Sequence, residues 1–163
     1  MAKGDSIDQM APQVDSVRKI VTMATQRDVD ALSRFLSKGV DINLKDESGN
    51  GVLMYAALEG HPDPVKILIS FGADVNARGS DGSTPLMYAV ISGSVETVKS
   101  LLEAGASVNI RNNSGLTALE IGSNTGMSLS IPFLNIRLTV NRHDSEIITL
   151  LKQSLNLSKQ TVD

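Results

Sequence analysis

The sequence predicts an all-α fold, a helix-turn-helix repeat solenoid of about four repeats with an insertion in the last repeat. The first observation is a period of 33 residues, which relates Gly49, Gly82 and Gly115. The same step relates three further sets of residues, namely Leu53, Leu86 and Leu119; Gly39, Gly72 and Gly105; and Asn43, Asn76 and Asn109. The second observation is that each period carries two helical stretches with an apolar face. Because one such hairpin cannot bury both of its apolar faces, neighbouring repeats must stack and share a core.

The clearest repeat runs over residues 79–111. Thr84-Pro85 predicts the start of its first helix, because proline has no N–H to lose and its fixed φ suits the first turn. Gly93 and Gly105 predict the ends of the first and second helices, as glycine does where φ becomes positive. The apolar positions recur at helical spacing, with Leu86, Ala89 and Val90 in the first helix and Val98, Leu101 and Leu102 in the second.

The domain order follows from this register. We expect a flexible N-terminal tail over residues 1–14, a repeat domain over 15–154 and a flexible C-terminal tail over 155–163. The repeats are predicted at about 15–45, 46–78, 79–111 and 112–154, and the first of them serves as a cap with a charged outer surface. In the last repeat Leu150-Leu151 matches Leu101-Leu102 at an offset of 49 instead of 33. The extra 16 residues predict an insertion at about 127–142, between the two helices.

The insertion has the pattern of a strand. Its apolar residues alternate with polar ones over residues 133–141, at Leu134, Ile136, Leu138 and Val140. This period of two is typical of a half-buried strand, and helical repeats offer no sheet for it to join. Two interpretations remain open: the segment folds back and caps the C-terminal end of the stack, or it pairs with a partner strand or a second copy.

Two stretches, Gly82-Ser83-Thr84-Pro85-Leu86 and Gly72-Ala73-Asp74-Val75-Asn76-Ala77, resemble the ankyrin repeat nearly letter for letter. The resemblance covers roughly residues 15–154. The chain departs from the family pattern at Met54, Met87 and Glu120, where the family usually has histidine, and at Gly51-Val52, which stands in place of Thr-Pro. The resemblance implies a non-catalytic protein-protein interaction module that acts as an adaptor or an inhibitor.

The resemblance also implies a binding surface, formed by the concave side of the first helices and by the tips of the turns. We expect partner contacts from Tyr55, Leu58, Glu59, Tyr88, Ile91 and Ser92 on the helices and from Glu47, Asn50, Asp81, Ser83, Asn113 and Leu116 on the turns. The helical positions are offset by two residues from those that face the core. The two tyrosines have a second interpretation, packing of helix against helix, since tyrosine is often half-buried.

Composition excludes several classes of function. The chain has 163 residues, 41% of them hydrophobic, and a net charge of −3, which suits one soluble domain. It has no cysteine, and therefore no disulfide, thiolate zinc site or cysteine nucleophile. His61 and His143 lack metal-binding spacing, and His61 matches a position where ankyrin repeats carry a structural histidine. There is no glycine-rich phosphate loop, so we expect no enzymatic activity, no metal and no cofactor.

The expected partner is another protein, bound by a monomer or weak homodimer. Lys45, Arg78 and Arg111 recur at intervals of 33 residues, but acidic neighbours and an aromatic content of 3% favour solvated loop charges over nucleic-acid binding. No apolar run reaches the roughly 18 residues of a membrane span, and we expect a cytoplasmic protein. The alternative function is an assembly protein that homo-oligomerises, or pairs with a partner, through segment 133–141.

Overall fold

The computed structural model describes residues 11–123, 128–131, 136–139 and 145–160, with side chains described for 16–123 and 146–158. The helices of the first three repeats are α1 (Ala11–Thr25), α2 (Val29–Leu36), α3 (Val52–Leu58), α4 (Pro62–Ser70), α5 (Pro85–Ser92) and α6 (Val95–Glu103). The last repeat contains α7 (Ala118–Ser123), the strands β1 (Ser128–Ile131) and β2 (Ile136–Thr139), and α8 (Ser145–Gln160).

The helices form two rows. The inner row stacks α1 on α3, α3 on α5 and α5 on α7, while the outer row stacks α2, α4, α6 and α8 in the same order. Each inner helix also packs against the outer helix that follows it. The core lies between the rows, where Leu53 and Leu86 of the inner row meet Val65 and Val98 of the outer row, all buried. The predicted all-α repeat solenoid is confirmed.

The helix ends of the third repeat lie where the sequence predicts them. Thr84 is the N-cap of α5 and Pro85 its first residue. Gly93 follows the helix with φ of 72°, a left-handed conformation in which a Cβ atom would be strained. Leu86, at the centre of the stack, has no exposed surface.

Each inner helix after α1 follows a tight five-residue turn, which we call a finger. The fingers are residues 46–50, 79–83 and 112–116, and in each the first N–H donates to the carbonyl of the fifth residue at 2.9 or 3.0 Å. The fourth residue is Gly49, Gly82 or Gly115, with φ between 73° and 77°. Because this conformation disfavours a side chain, glycine is required at the same place in every finger.

Two of the loop cations, Lys45 and Arg78, donate hydrogen bonds to the backbone of the next repeat. Lys45 Nζ donates to the carbonyl oxygen of Arg78 at 2.9 Å, and Arg78 donates to the carbonyl oxygen of Arg111 at 2.9 Å. Each of these two side chains therefore bridges one repeat to the next. Lys45, Arg78 and Arg111 are all exposed, which agrees with their interpretation as solvated loop charges, and the bridging contacts of Lys45 and Arg78 are an additional role.

Both predicted tails contain helix. α1 begins at Ala11, inside the stretch 1–14, and α8 continues to Gln160, beyond the predicted boundary at residue 154. Leu151 is buried, and Leu155, one turn further on, packs against the same core. The helix continues because its apolar face continues.

The insertion holds its own small sheet. β2 pairs with β1 in antiparallel register, with Ser128 opposite Thr139 and Ile131 opposite Ile136. The expectation that the strand finds no sheet partner within its own chain is therefore wrong. β1 was not predicted from the sequence, although Ser128-Leu129-Ser130-Ile131 also alternates polar and apolar residues. Leu134 and Val140, which were predicted to lie in the strand, fall outside the described residues.

Candidate protein-binding surface

The fingers and inner helices carry the residues predicted to contact a partner, and the structure divides them by exposure. Glu47, Glu59 and Asn113 are exposed, and six others are half-buried, namely Tyr55, Leu58, Asp81, Ile91, Ser92 and Leu116. Asn50, Ser83 and Tyr88 are buried, at 0%, 3% and 1% exposure. The side chains of these three residues are therefore unavailable to a partner in this conformation.

Tyr55, on α3, holds the first finger against that helix by a hydrogen bond. Its hydroxyl donates to Oδ2 of Asp46. The other carboxylate oxygen, Oδ1, accepts from the backbone N–H of Ser48 and of Asn50, each at 2.9 Å. One aspartate therefore holds both the turn and the helix, which fixes the position of the finger on α3.

Tyr88 does the same one repeat later, but with a different aspartate position. Asp81 accepts from the N–H of Ser83 at 2.9 Å and from its hydroxyl at 2.8 Å, and the hydroxyl of Tyr88 lies 3.5 Å from Asp81 Oδ2. This network explains why Ser83 is buried. The interpretation of the tyrosines as packing residues is correct for Tyr88.

Both tyrosines are held as neutral hydrogen-bond donors. Burial raises the pKa of Tyr55 above its ordinary value, and the hydrogen bond to Asp46 raises it further. Burial likewise raises the pKa of Tyr88, with the negative charge of Asp81 as the next cause. The tyrosine anchors therefore persist across the neutral pH range.

Neighbouring fingers contact each other directly. Asn113 donates its backbone N–H to the carbonyl of Asp81 at 2.9 Å and its side-chain amide to the carbonyl of Ser80 at 3.1 Å. Between the first two fingers, a Cβ atom on Gly79 would lie 2.4 Å from Oδ1 of Asn50. Glycine is therefore the residue that permits this close approach, and the three fingers form one continuous edge.

Charge is segregated across the stack. The finger and inner helix of the second and third repeats carry Asp46, Glu47, Glu59 and Asp81 and no lysine or arginine. The four cations of these repeats lie on the outer helices or connecting loops, at Lys66, Arg78, Lys99 and Arg111. A surface rimmed by carboxylates repels phosphate groups. This side of the molecule is therefore unsuited to nucleic acid.

Two apolar residues occupy the middle of this surface. Leu58 on α3 and Ile91 on α5 stand one repeat apart on helices that pack against each other, and both are only partly buried. Half-buried leucine and isoleucine on a rigid support can anchor an interface, because a partner completes their burial. They are the apolar centre of the candidate site.

Three exposed finger residues of this edge, Ser48, Ser80 and Ser114, were not predicted from the sequence. Ser48 and Ser114 directly precede the finger glycines Gly49 and Gly115, which was the available signal, whereas Asp81 separates Ser80 from Gly82. Asp46 was missed as an anchor because nine residues separate it from Tyr55. That contact forms only when the turn folds against its helix.

His61 is half-buried at the N-cap of α4, and the described residues include no group of His, Cys, Asp and Glu suited to a metal ion. Among the described helices, each is too short or too polar to cross a bilayer.

The chain is a helical-repeat protein with two rows of paired helices. Its ordered fingers and its half-buried apolar residues are typical of repeat proteins that bind other proteins. The family model for ankyrin repeats, in three copies, matches residues 20–125, and the chain belongs to the ankyrin repeat family. Ankyrin repeats are generally protein-protein interaction modules and are typically non-catalytic. No curated protein matches the chain by sequence similarity.

Proposed function

We propose that the chain is a non-catalytic adaptor or inhibitor that binds a partner protein through its recognition surface. This surface consists of the inner-helix residues Tyr55, Leu58, Glu59, Ile91 and Ser92 and the finger residues Glu47, Asp81, Asn113 and Leu116. The observation that carries the proposal is the pair Leu58 and Ile91, partly buried and adjacent on stacked helices.

The rigidity of the surroundings supports the same proposal. The tyrosine–aspartate contacts fix the fingers on their helices, and the Asn113 contacts join two fingers. A surface that is ordered before binding loses little conformational entropy on binding, which favours affinity.

The test replaces the apolar centre with charge. A partner is first captured from extracts of the native host and identified by mass spectrometry, and its affinity is then measured for the chain with Leu58→Arg and Ile91→Arg. We expect affinity to fall by at least about tenfold, because an apolar anchor becomes a desolvated charge. The melting temperature should change by only a few degrees, because arginine can extend its charged end into solvent.

A matched control carries the same change on the outer row. Phe71 and Leu157 are exposed apolar residues, at 41% and 65% exposure, and Phe71→Arg with Leu157→Arg should leave the affinity unchanged. Unfolding of the Leu58–Ile91 variant would assign these residues to the core. Unchanged affinity in that variant would move the site to the insertion or the outer helices.

A second candidate function is self-assembly through the insertion. The antiparallel register sets Leu129 opposite Leu138 and Ile131 opposite Ile136. Apolar and polar residues alternate in the sequence of both strands, which is typical of a sheet with one buried face. A two-stranded hairpin is marginal by itself, and pairing with a second copy of the chain would extend the sheet.

A further inference from the structure

Two asparagines clamp the loop of the repeat that follows them. Nδ2 of Asn43 donates to the carbonyl of Gly72 at 3.1 Å, and its Oδ1 accepts from the N–H of Asp74 at 2.8 Å. Asn76 repeats this contact with the carbonyl of Gly105 at 3.3 Å and the N–H of Ser107 at 2.7 Å. In both places one carboxamide donates to the carbonyl of a glycine with positive φ, Gly72 or Gly105, and accepts from the N–H two residues further along the chain.

The residue between the two clamped groups has the same character both times. It is Ala73 in one loop and Ala106 in the other, each 9% exposed. The clamp therefore selects backbone hydrogen-bonding groups together with a small apolar side chain that can be buried against the stack.

Asn109 occupies the third position of this series, and in the described part of the chain its side chain makes no hydrogen bond. Its backbone N–H donates to Oγ of Ser107 at 3.4 Å. Asn109 lacks a loop to clamp because α8 does not end where the other outer helices end. α4 and α6 end just before the positive-φ residues Gly72 and Gly105. α8 has Ser154 at the matching position and stays helical to Gln160. Backbone groups inside a helix pair within that helix, so α8 offers Asn109 no free carbonyl or N–H.

A cavity of about 180 Å³ opens beside Asn109, well above the roughly 30 Å³ that one water molecule occupies. Its apolar wall consists of Val108, Leu119, Leu151 and Leu155, and Asn109 lines the same cavity. At its rim Arg111 and Glu120 pair with each other at 2.9 Å. Because the two charges offset each other, the mouth favours a neutral segment.

We propose that this cavity binds an extended peptide segment of another protein chain. Asn109 donates to the carbonyl of one residue and accepts from the N–H two residues further on, and the small apolar residue between them enters the cavity. The contact is the one that Asn43 and Asn76 already make within the chain. The site is separate from the recognition surface on the fingers and inner helices.

The test uses a peptide with the sequence of a loop that the chain itself clamps. The full chain, labelled with ¹⁵N, is titrated with acetylated and amidated Ala-Gly-Ala-Ser-Val-Asn, the neutral sequence of residues 104–109. We expect a saturable shift of the Asn109 side-chain amide signals with a Kd of about 1 mM or tighter. The same peptide carrying an N-methyl group on its serine lacks the N–H from which Asn109 accepts, and should bind at least about tenfold more weakly.

Three variants complete the experiment. Asn109→Leu should abolish binding of the peptide, while Asn156→Leu, an exposed asparagine on α8, should leave it unchanged. The Leu58→Arg, Ile91→Arg variant should bind the peptide as the parent does, so loss of partner binding and loss of peptide binding are separate results. Absence of a saturable shift at about 10 mM peptide, equal binding of the N-methyl peptide, or equal weakening by Asn156→Leu would overturn the proposal.

Discussion

Glu120 caps the first turn of α7 through Thr117, whose N–H and hydroxyl both donate to Glu120 Oε2, at 2.7 and 2.8 Å. Arg111 donates to the same carboxylate at 2.9 Å. One repeat earlier, Thr84 occupies the position of Thr117, but Met87 stands in place of Glu120. The hydroxyl of Thr84 is buried and has no hydrogen-bond partner among the residues that the structure describes. The same residue type is therefore satisfied in one repeat and unsatisfied in the preceding one.

Replacing these two threonines with valine should have opposite effects on stability. Thr84→Val removes a buried, unpaired hydroxyl from a residue with an extended backbone, and should raise the free energy of unfolding by about 1 kcal/mol. Thr117→Val keeps the backbone N–H but removes the hydroxyl, which donates to Glu120 Oε2 at 2.8 Å and accepts from the Glu120 N–H at 3.3 Å. It should lower the free energy of unfolding by about 1 kcal/mol. Urea unfolding of the two single variants checks the prediction. A loss of stability in Thr84→Val equal to that in Thr117→Val would show that Thr84 caps its helix in solution.

The cap at Glu120 should make stability depend on pH. Hydrogen bonds from Thr117, and then the nearby Arg111, hold the pKa of Glu120 below its ordinary value. A carboxylate with a lowered pKa stabilises the fold above its unfolded-state pKa, and this contribution is lost as the pH falls through the folded-state pKa. We therefore expect the stability difference between the parent and Glu120→Gln to be largest near neutral pH and to shrink on acidification. A difference that grows towards acid would contradict the assignment.

Leu86 should be among the most sensitive positions of the stack. It is fully buried between α3 and α7, so Leu86→Ala should cost about 2 to 5 kcal/mol through lost burial and a residual cavity. Ser83→Ala should cost about 1 kcal/mol, because it removes the hydroxyl bond to Asp81. Ser114→Ala, on an exposed finger position, should cost less than about 0.5 kcal/mol. Equal urea midpoints for the first and third variants would show that the repeat register is wrong.

Removal of residues 128–141, with a short turn joining the helices, separates two roles of the insertion. Helix content should stay nearly intact, because α7 and α8 pack directly on each other. If the insertion mediates assembly, light scattering should show a dimer for the full chain and a monomer for the shortened one. A monomer in both cases with lower stability assigns the insertion to capping. No change in either mass or stability would contradict both roles.

The stack was predictable because its signals are local and repeated. Pro85 and Gly93 mark the two ends of α5, and glycine recurs at the Gly93 position as Gly60 and Gly126. The end of α8 was not predictable by the same means, because no glycine or proline follows Leu155 within the helix. The length of α8 follows instead from its apolar face, which continues as long as a neighbouring helix is there to bury it.

The recognition surface was predictable only in part, for a related reason. Leu58 and Ile91 lie where helical periodicity places them, two residues after the core positions Ala56 and Ala89, and both also pack against the core. The burial of Ser83 and Tyr88 depends on Asp81, which gathers their polar groups into the finger. Such a network forms between residues at irregular spacing, and a repeat pattern carries no information about it.

The asparagine clamps have a consequence for how the stack opens. The N–H groups of Asp74 and Ser107 lie in surface loops, yet each is covered by a side chain from the preceding repeat. These amides can exchange with solvent deuterium only when that junction separates. Since contacts in a solenoid join nearest neighbours, Asp74 reports on the opening of one junction and Ser107 on the next. The exchange rates of these two surface amides thus report separately on the opening of two adjacent junctions.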